Sequence, residues 1–563
     1  MVPRVSAALS TLRQQLRAMS FASSKTRVVS LLAAVGLAEA AAKLQSRQGA
    51  PPNFDWSTQV TPSIDLKALV PCYGSFKCGL LSVPLDYSRA NGPNATIAVA
   101  VLPATDTANY KGSVLFNPGG PGGPGTQAIL QLGPLLAPII GPAYDIVGFD
   151  PRGTGFSLPS GFCFDTQDWA TFEQTEIYSL ESRVDVGYAL ARSEIVAAKC
   201  AETHLGTGSG STVEEVGGGR FMDTSTAASD MLSIVRALGE DKLNYYGISY
   251  GTVIGQHFAA MYPDHVGLML IDGITDAVNW RAANLTPELQ DSDRVFNAFI
   301  DLCTKGGPTV CPIAEKTSKQ TAARLERLLA SLKAQPIAVY PHANGYHIVT
   351  YDELRAFIRT QIYAPLNGFP ILAGVFAAVE ARNVSALHDF GAANPGTGLA
   401  PWNPADQSLQ LITCTDFPDL GSTTLDAAWK MVHDAIEVSR WFGSIMTRVP
   451  LQCIPWKIRP GNPYTGSFDV AEISGKILVA SNTLDPITPL ADAQTVVKRF
   501  PTASSALLEQ NTIGHTITFQ MGNCAAAAIG AFFQSGVLPT SGTLCQPDQL
   551  PFIGNVTEGI QSA

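Results

Sequence analysis

The pentapeptide Gly247-Ile248-Ser249-Tyr250-Gly251 stands between two stretches of different periodicity. Residues 243–246 form a mostly apolar run, and residues 252–261 read as a helix with small residues on one side. A chain passes from a buried strand into a helix over so few residues only through a tight turn. In such a turn the central residue is held at strained backbone angles, and the flanking glycines let strand and helix approach closely. The hydroxyl of Ser249 then projects from the end of the sheet. Because G-x-S-x-G is short enough to occur by chance, its meaning depends on what surrounds it.

The surroundings alternate. Residues 113–116, 144–149, 243–246 and 266–273 read as short buried strands. Residues 225–238 carry Ala228, Met231, Leu232, Val235 and Leu238 at helical spacing, closed by Gly239. Strands alternating with helices predict a mostly parallel sheet with helices on both faces. A hairpin is expected to open the fold, with residues 94–102 as one strand after the turn Asn91-Gly92-Pro93. From about 275 to 473 the pattern turns mainly helical (317–332, 351–362, 371–381, 424–442), which predicts a cap inserted over the active face. Strand character returns at 476–481 and 505–509. The expected layout is a targeting segment and linker at 1–50, core at 51–274, cap at 275–475, core again at 476–550, and a tail at 551–563. Residues 161–219 offer little beyond a helical section near 180–200.

Three of these strands end in loops with chemical potential. The loop Asn117-Pro118-Gly119-Gly120-Pro121-Gly122-Gly123-Pro124-Gly125 lacks the Lys-Ser/Thr of a phosphate loop and the spacing of a dinucleotide fingerprint. It suits an oxyanion loop, in which glycines bring a backbone N–H close to a reacting carbonyl. Proline has no N–H, so Pro118 and Pro121 are excluded, and Gly120 is the expected donor beside the N–H of Tyr250. Asp485 follows the strand at 476–481, and His515 follows the strand at 505–509. Ser249, Asp485 and His515 thus appear in the chain order of an α/β-hydrolase triad. Ser249 would attack a carbonyl carbon, His515 would move its proton to the leaving group, and Asp485 would orient the imidazole. Each has a plainer alternative: a structural Pro/Gly turn, a helix cap at Asp485 and an ordinary loop histidine at 515. Asp150 and Arg152, at another strand end, read as residues that pin their loop by an ion pair and backbone hydrogen bonds.

These motifs resemble the tripeptidyl aminopeptidase branch of the proline iminopeptidase-like serine peptidases. The resemblance rests on Asn117 to Gly123, Asp150-Pro151-Arg152-Gly153-Thr154-Gly155, Gly247 to Thr252, Asp485 and Gly514-His515. It covers about 72 to 545, and from about 414 the chain looks like that family's terminal module, with Cys414-Thr415-Asp416 and Cys453-Ile454-Pro455-Trp456. It implies an α/β-hydrolase fold and a secreted enzyme that releases short peptides or single residues from free amino termini, with no metal or organic cofactor. Pro124 departs from the small residue expected there. A substrate ammonium needs a counter-charge; Asp416 is the first candidate, with Glu380, Asp389 and Asp419 behind it. A hydrolase of small esters, lactones or amides, acting in secondary metabolism, is the alternative, because the same triad cleaves any activated carbonyl. A catalytically dead binding protein would require a lost triad member, and none is lost.

Composition narrows the setting. With 563 residues, 46% hydrophobic and 15% charged, the chain has material for a large core. A net charge of -10 without clustered Lys and Arg disfavours nucleic acid as a partner. The ten cysteines form no C-x-x-C pair, and no histidines lie at zinc-ligand spacings, so no metal is expected. Five disulfides in sequence order are expected: Cys72-Cys78, Cys163-Cys200, Cys303-Cys311, Cys414-Cys453 and Cys524-Cys545. Spacing does not dictate that connectivity, though the first and third close short loops. Sequons at Asn94, Asn284, Asn383 and Asn555 agree with a secretory route. At the amino terminus a basic stretch precedes the apolar run 28–35, which is too short for a membrane span but fits a signal h-region. Lys25 and Arg27 stand before the run, and Ala38-Glu39-Ala40 offers a cleavage site. Translation from Met19 would give a signal of ordinary length; a mitochondrial presequence or an amphipathic helix remains open. No oligomeric state follows from the sequence.

Overall fold

The computed structural model describes residues 54–560, apart from 90, 166–167, 169–171, 173–178, 207–216, 344, 391–404, 541 and 558. The expected signal segment lies outside the described residues.

An eleven-stranded sheet organises the rest. In chain order its strands are β1 (Pro62–Ser63), β2 (Val70–Cys72), β3 (Phe76–Pro84), β4 (Asn94–Leu102), β5 (Gly112–Asn117), β6 (Tyr144–Phe149), β7 (Leu243–Ile248) and β8 (Val266–Asp272). After a separate hairpin, β9 (Ile337–His342) and β10 (Gly345–Val349), come β11 (Lys476–Leu484), β12 (Ser505–Ile513) and β13 (Leu544–Cys545). The spatial order is β1-β3-β4-β6-β5-β7-β8-β11-β12-β13, with β2 on β3. β3, β4 and β6 run antiparallel, as the expected opening hairpin requires, and every neighbour from β6 to β13 is parallel. Parallel strands buried on both faces are nearly continuously apolar. β11 follows this rule, with Ile477, Leu478, Val479 and Ala480 all buried.

The chain leaves β5 for β6 on one side and later returns to β7 on the other. The order therefore reverses at β5, and the loops after β5 and β7 diverge around a crevice at the carboxyl end of the sheet. Open α/β sheets bind ligands at such a switch point. The glycine-rich loop and Ser249 are the two segments that meet there.

The helix Thr224–Ala237 begins where Asp223 caps it, its side chain accepting the N–H of Thr226 at 3.1 Å. A cap of this kind contributes about 1 kcal/mol. Arg152 and Asp230 form a buried bidentate pair, 2.8 Å on both arms, and Arg152 also reaches the carbonyl of Pro84 at 2.7 Å. Asp150 does not pair with Arg152. Its carboxylate accepts the N–H groups of Thr126 (2.8 Å) and Phe156 (2.9 Å) and the Thr126 hydroxyl. Both residues pin the loop as expected, each through its own partners.

The stretch 275–475 divides between two apolar clusters. Buried apolar residues between 289 and 390, with Ala435, Phe442 and Met446, share one that also takes in Leu484, Ile513 and Leu550. Leu411, Cys414, Phe417, Cys453, Trp456 and Phe468 instead pack into the core beneath the sheet, with the helices 224–237 and Tyr250–Met261. The same stretch also contains the β9/β10 hairpin, which the helical pattern does not announce. The ten cysteines pair in sequence order, Cys72-Cys78, Cys163-Cys200, Cys303-Cys311, Cys414-Cys453 and Cys524-Cys545. Among the described residues no helix is long and apolar enough to cross a membrane. Asn94, Asn284, Asn383 and Asn555 are all exposed.

Candidate active site

Ser249 joins β7 directly to the helix Tyr250–Met261 and has φ 56° and ψ -127°. Few non-glycine residues adopt such angles, and a strained residue costs of order 1–3 kcal/mol, so the surroundings must hold it there. They do so by close approach. A Cβ at Gly247 would lie 2.6 Å from the Gly251 carbonyl, and one at Gly251 would lie 2.9 Å from the Asn117 carbonyl. Both flanking glycines are therefore required by contact between strand, helix and the loop after β5.

That loop packs onto the turn. A Cβ at Gly119 would meet the Ile248 carbonyl at 2.5 Å and Ser249 Cβ at 2.9 Å. The N–H of Gly119 is taken by Asn117 Oδ1 at 2.9 Å, and that of Gly123 by the Gly119 carbonyl at 3.1 Å. The N–H of Gly120 has no acceptor among the described residues. Tyr250 is the first residue of its helix, where an N–H has no intrahelical acceptor. Two backbone donors thus stay uncommitted beside Ser249.

His515 lies in the loop after β12, between Gly514 (φ 121°) and Thr516 (φ 61°). Its Nδ1 is 3.1 Å from both oxygens of Asp485 and 3.1 Å from the Thr488 hydroxyl. Asn482 donates to the carbonyls of Gly514 (2.9 Å) and Thr516 (2.7 Å), on either side of the histidine. Asp272, at the end of β8, accepts the N–H groups of Ile517 (2.8 Å) and Thr518 (2.9 Å). From the cap, the carbonyl of Tyr363 accepts the His515 N–H at 2.8 Å, and the two rings meet edge to face with centroids 5.0 Å apart.

Asp485 is fully buried and accepts three backbone N–H groups, from Ile487 (2.9 Å), Thr488 (2.8 Å) and Thr516 (2.8 Å). Asp485 caps no helix, since the next one, Leu490–Val496, starts after Pro489 without a side-chain cap; its carboxylate instead closes the turn 485–488 while it contacts the imidazole. Burial by itself would raise its pKa. The charge of His515 and the donated hydrogen bonds outweigh burial and hold it below the ordinary value.

Asp416, the first candidate for the counter-charge, is half-buried, and its carboxylate accepts from the N–H and hydroxyl of Thr224 (2.8 and 2.5 Å) and from Trp280 Nε1 (2.8 Å). Through Thr224 it touches Tyr250, whose hydroxyl is 2.6 Å from Thr224 Oγ1. Burial first, and then the charge of Asp223, push Asp416 up to about 7. It is a brace under the turn rather than an open counter-charge. Glu380 pairs with Arg324 at 2.6 Å, Asp389 is exposed beside His388, and Asp419 turns back to the N–H of Gly421 at 2.9 Å.

Several residues of this region escaped the sequence reading. Thr488 carried a signal, since an Asp-x-x-Thr run after a strand suggests side-chain contacts within a turn. Glu288 carried none. It is buried, and burial and then Asp492 raise it to about 8, with a smaller contribution from Asp485. Among the described residues no group of three or more His, Cys, Asp or Glu is placed to hold a metal ion.

Fold and site together define a hydrolase built on a parallel sheet, and comparison with known proteins gives the family. Residues 112–306 match the family described as alpha/beta hydrolase fold, and residues 439–545 match the one described as TAP-like protein. The chain is a serine hydrolase of the α/β-hydrolase family with a TAP-like C-terminal portion. It is 28% identical over 512 residues to the serine protease Hip1 of Mycobacterium tuberculosis, covering 88% of this chain and 92% of that protein. With the tripeptidyl aminopeptidase of Streptomyces coelicolor it shares 26% over 490 residues, 84% of each chain. With carboxylesterase B of Mycobacterium tuberculosis it shares 27% over 481 residues, 84% of this chain and 86% of the relative.

Proposed function

We propose that this protein is a secreted serine exopeptidase that releases short peptides or single residues from free amino termini. Ser249 attacks the scissile carbonyl while His515 takes its proton and passes it to the leaving amine. Asp485 keeps the imidazole oriented and compensates the charge it gains. The N–H groups of Gly120 and Tyr250 receive the oxyanion, a contribution of about 3–4 kcal/mol per donor in comparable sites. The observations that carry the chemistry are a positive-φ serine at the switch point and, after two later strands of the same sheet, a histidine held by a buried aspartate. The peptidase reading draws on the TAP-like portion and the two peptidase-named relatives. Five disulfides and four exposed sequons support passage through an oxidising, secretory environment.

Carboxylesterase B, at nearly the same identity, favours a second reading, a hydrolase of small esters, lactones or amides. The experiment compares free and N-acylated tripeptide aryl amides and a simple aryl ester, using wild type and Ser249→Ala. The aminopeptidase reading expects the free peptide to be cleaved at least 10-fold faster than the blocked one, in line with one charged hydrogen bond to the ammonium. Equal rates on free and blocked peptides would sink it, and ester turnover alone would favour the second reading.

A further inference from the structure

Several buried or half-buried arginines of this protein are answered by a carboxylate. Arg152 holds Asp230, Arg324 holds Glu380, Arg355 holds Glu181 and Arg499 holds Asp276. Arg359 is different. It lies in the last turn of the helix Tyr351–Gln361 and is half-buried. Its Nε points at Met446 Sδ (3.0 Å), and one terminal nitrogen donates to the Tyr363 hydroxyl at 3.2 Å. A thioether and a phenol are weak acceptors for a group with five donors. No carboxylate oxygen lies within ion-pair reach of it among the described residues.

Its position gives this open charge a meaning. The guanidinium lies 5.8 Å from the centroid of the Tyr363 ring, and the other edge of that contact chain is His515, 5.0 Å from the same ring. Arg359 is therefore one aromatic ring away from the imidazole. In a serine hydrolase the histidine must reach the departing atom to protonate it, so the leaving group lies on the histidine side of the scissile bond. The oxyanion donors lie on the other side, at the loop after β5. Through Tyr363, Arg359 is therefore linked to the histidine side of the site, from which the leaving group departs. A favourable interaction with the negative end of its helix is also open to an arginine here, but it is worth only about 0.3–1 kcal/mol and requires no contact with Met446 or Tyr363.

Resting on the serine hydrolase mechanism above, we infer that Arg359 is the receptor for a carboxylate on the leaving group. Substrates would then be molecules whose departing portion carries a negative charge close to the scissile bond, such as short peptides ending one residue beyond it. Glu288 does not cancel this charge at neutral pH, since burial and Asp492 keep it protonated up to about 8. Asp406 feels Arg359 but makes no bond to it.

The test is a ratio of kcat/KM values for matched leaving groups. One pair is a tripeptide with a free amino terminus joined to alanine or to alaninamide. The other is 4-(carboxymethyl)phenyl acetate and 4-(carbamoylmethyl)phenyl acetate. Wild type is expected to favour the carboxylate member about 10-fold or more, as a charge-assisted contact allows, with the preference shrinking as salt is raised. Arg359→Gln should bring the ratio to about one, Arg359→Lys should restore part of it, and Arg183→Gln, in a pair with Asp426 that is exposed on both sides, should keep the wild-type ratio. A wild-type ratio near one on whichever pair is cleaved overturns the inference, even if Arg359→Gln does not fold. Turnover of the acetates alone, with a strong carboxylate preference, would keep Arg359 as the receptor and discard the aminopeptidase reading.

Discussion

Two regions of the molecule are built on an aspartate, fully buried in one and half-buried in the other, with at least three donors, and they behave in opposite ways. At the end of β11, Asp485 receives three backbone N–H groups and faces His515, and its pKa is lowered. At the junction of helix Ala405–Asp416 with the helix starting at Thr224, Asp416 receives two donors from Thr224 and one from Trp280, yet it is raised to about 7. The count of hydrogen bonds is similar. The sign of the neighbouring charge differs: an imidazole that can become positive at Asp485, the carboxylate of Asp223 at Asp416. A buried acid kept ionised can compensate a charge that develops during a reaction. One poised near neutrality beside neutral donors serves packing.

That contrast can be broken in three places. The largest effect is expected at the first region, where Asp485→Asn should lower kcat by about 10⁴-fold, as the imidazole loses the acceptor that sets its tautomer. A loss below 10-fold, measured by steady-state kinetics, would remove Asp485 from the mechanism. The second is Thr224→Val, which removes the hydroxyl donor from Asp416 and one partner from Tyr250 while the backbone N–H at 224 stays in place. It should cost about 1–3 kcal/mol in chemical denaturation, the penalty for buried groups left unsatisfied. Its effect on kcat should stay far below that of Asp485→Asn.

The smallest effect is a pH slope. Asp416 is raised to about 7 in the folded protein, from an ordinary value of 3.8. The folded state therefore binds the proton more tightly, and the stability this contributes is full below pH 4 and lost as pH rises through 7. The melting temperature of wild type relative to Asp416→Asn should fall between pH 4 and 8 and then level off. For Asp485, whose pKa is lowered, the sense is reversed, and its contribution disappears as pH falls through the folded value. Parallel slopes for the two asparagine variants would contradict the comparison.

The legible parts of this molecule were those written locally. The strands at 144–149 and 243–248 declare themselves by short apolar runs, and Ser249, Asp485 and His515 each follow a strand end, where a parallel sheet places its loops. The contacts of Asp416 are not legible in the sequence, because Thr224 and Trp280 are 192 and 136 residues away. Asp230 was overlooked as the partner of Arg152 for the same reason, at 78 residues. Tyr363 and Arg359 lie in a helical stretch whose spacing describes only its own apolar face, and nothing in that spacing says that its end reaches His515. The β9/β10 hairpin was hidden because its outward face carries exposed Tyr340, Tyr346 and Ile348, which blur the alternation that marks a strand.

The central claim is that Ser249 is a nucleophile activated by His515. Labelling with a fluorophosphonate and peptide mass mapping tests it directly, because such reagents trap only an activated serine hydroxyl. The account predicts one label per chain, on Ser249, with labelling slowed at least 10³-fold in His515→Ala, the order of effect expected when the base of a triad is removed. Labelling at another serine, or undiminished hydrolysis by Ser249→Ala, would contradict it.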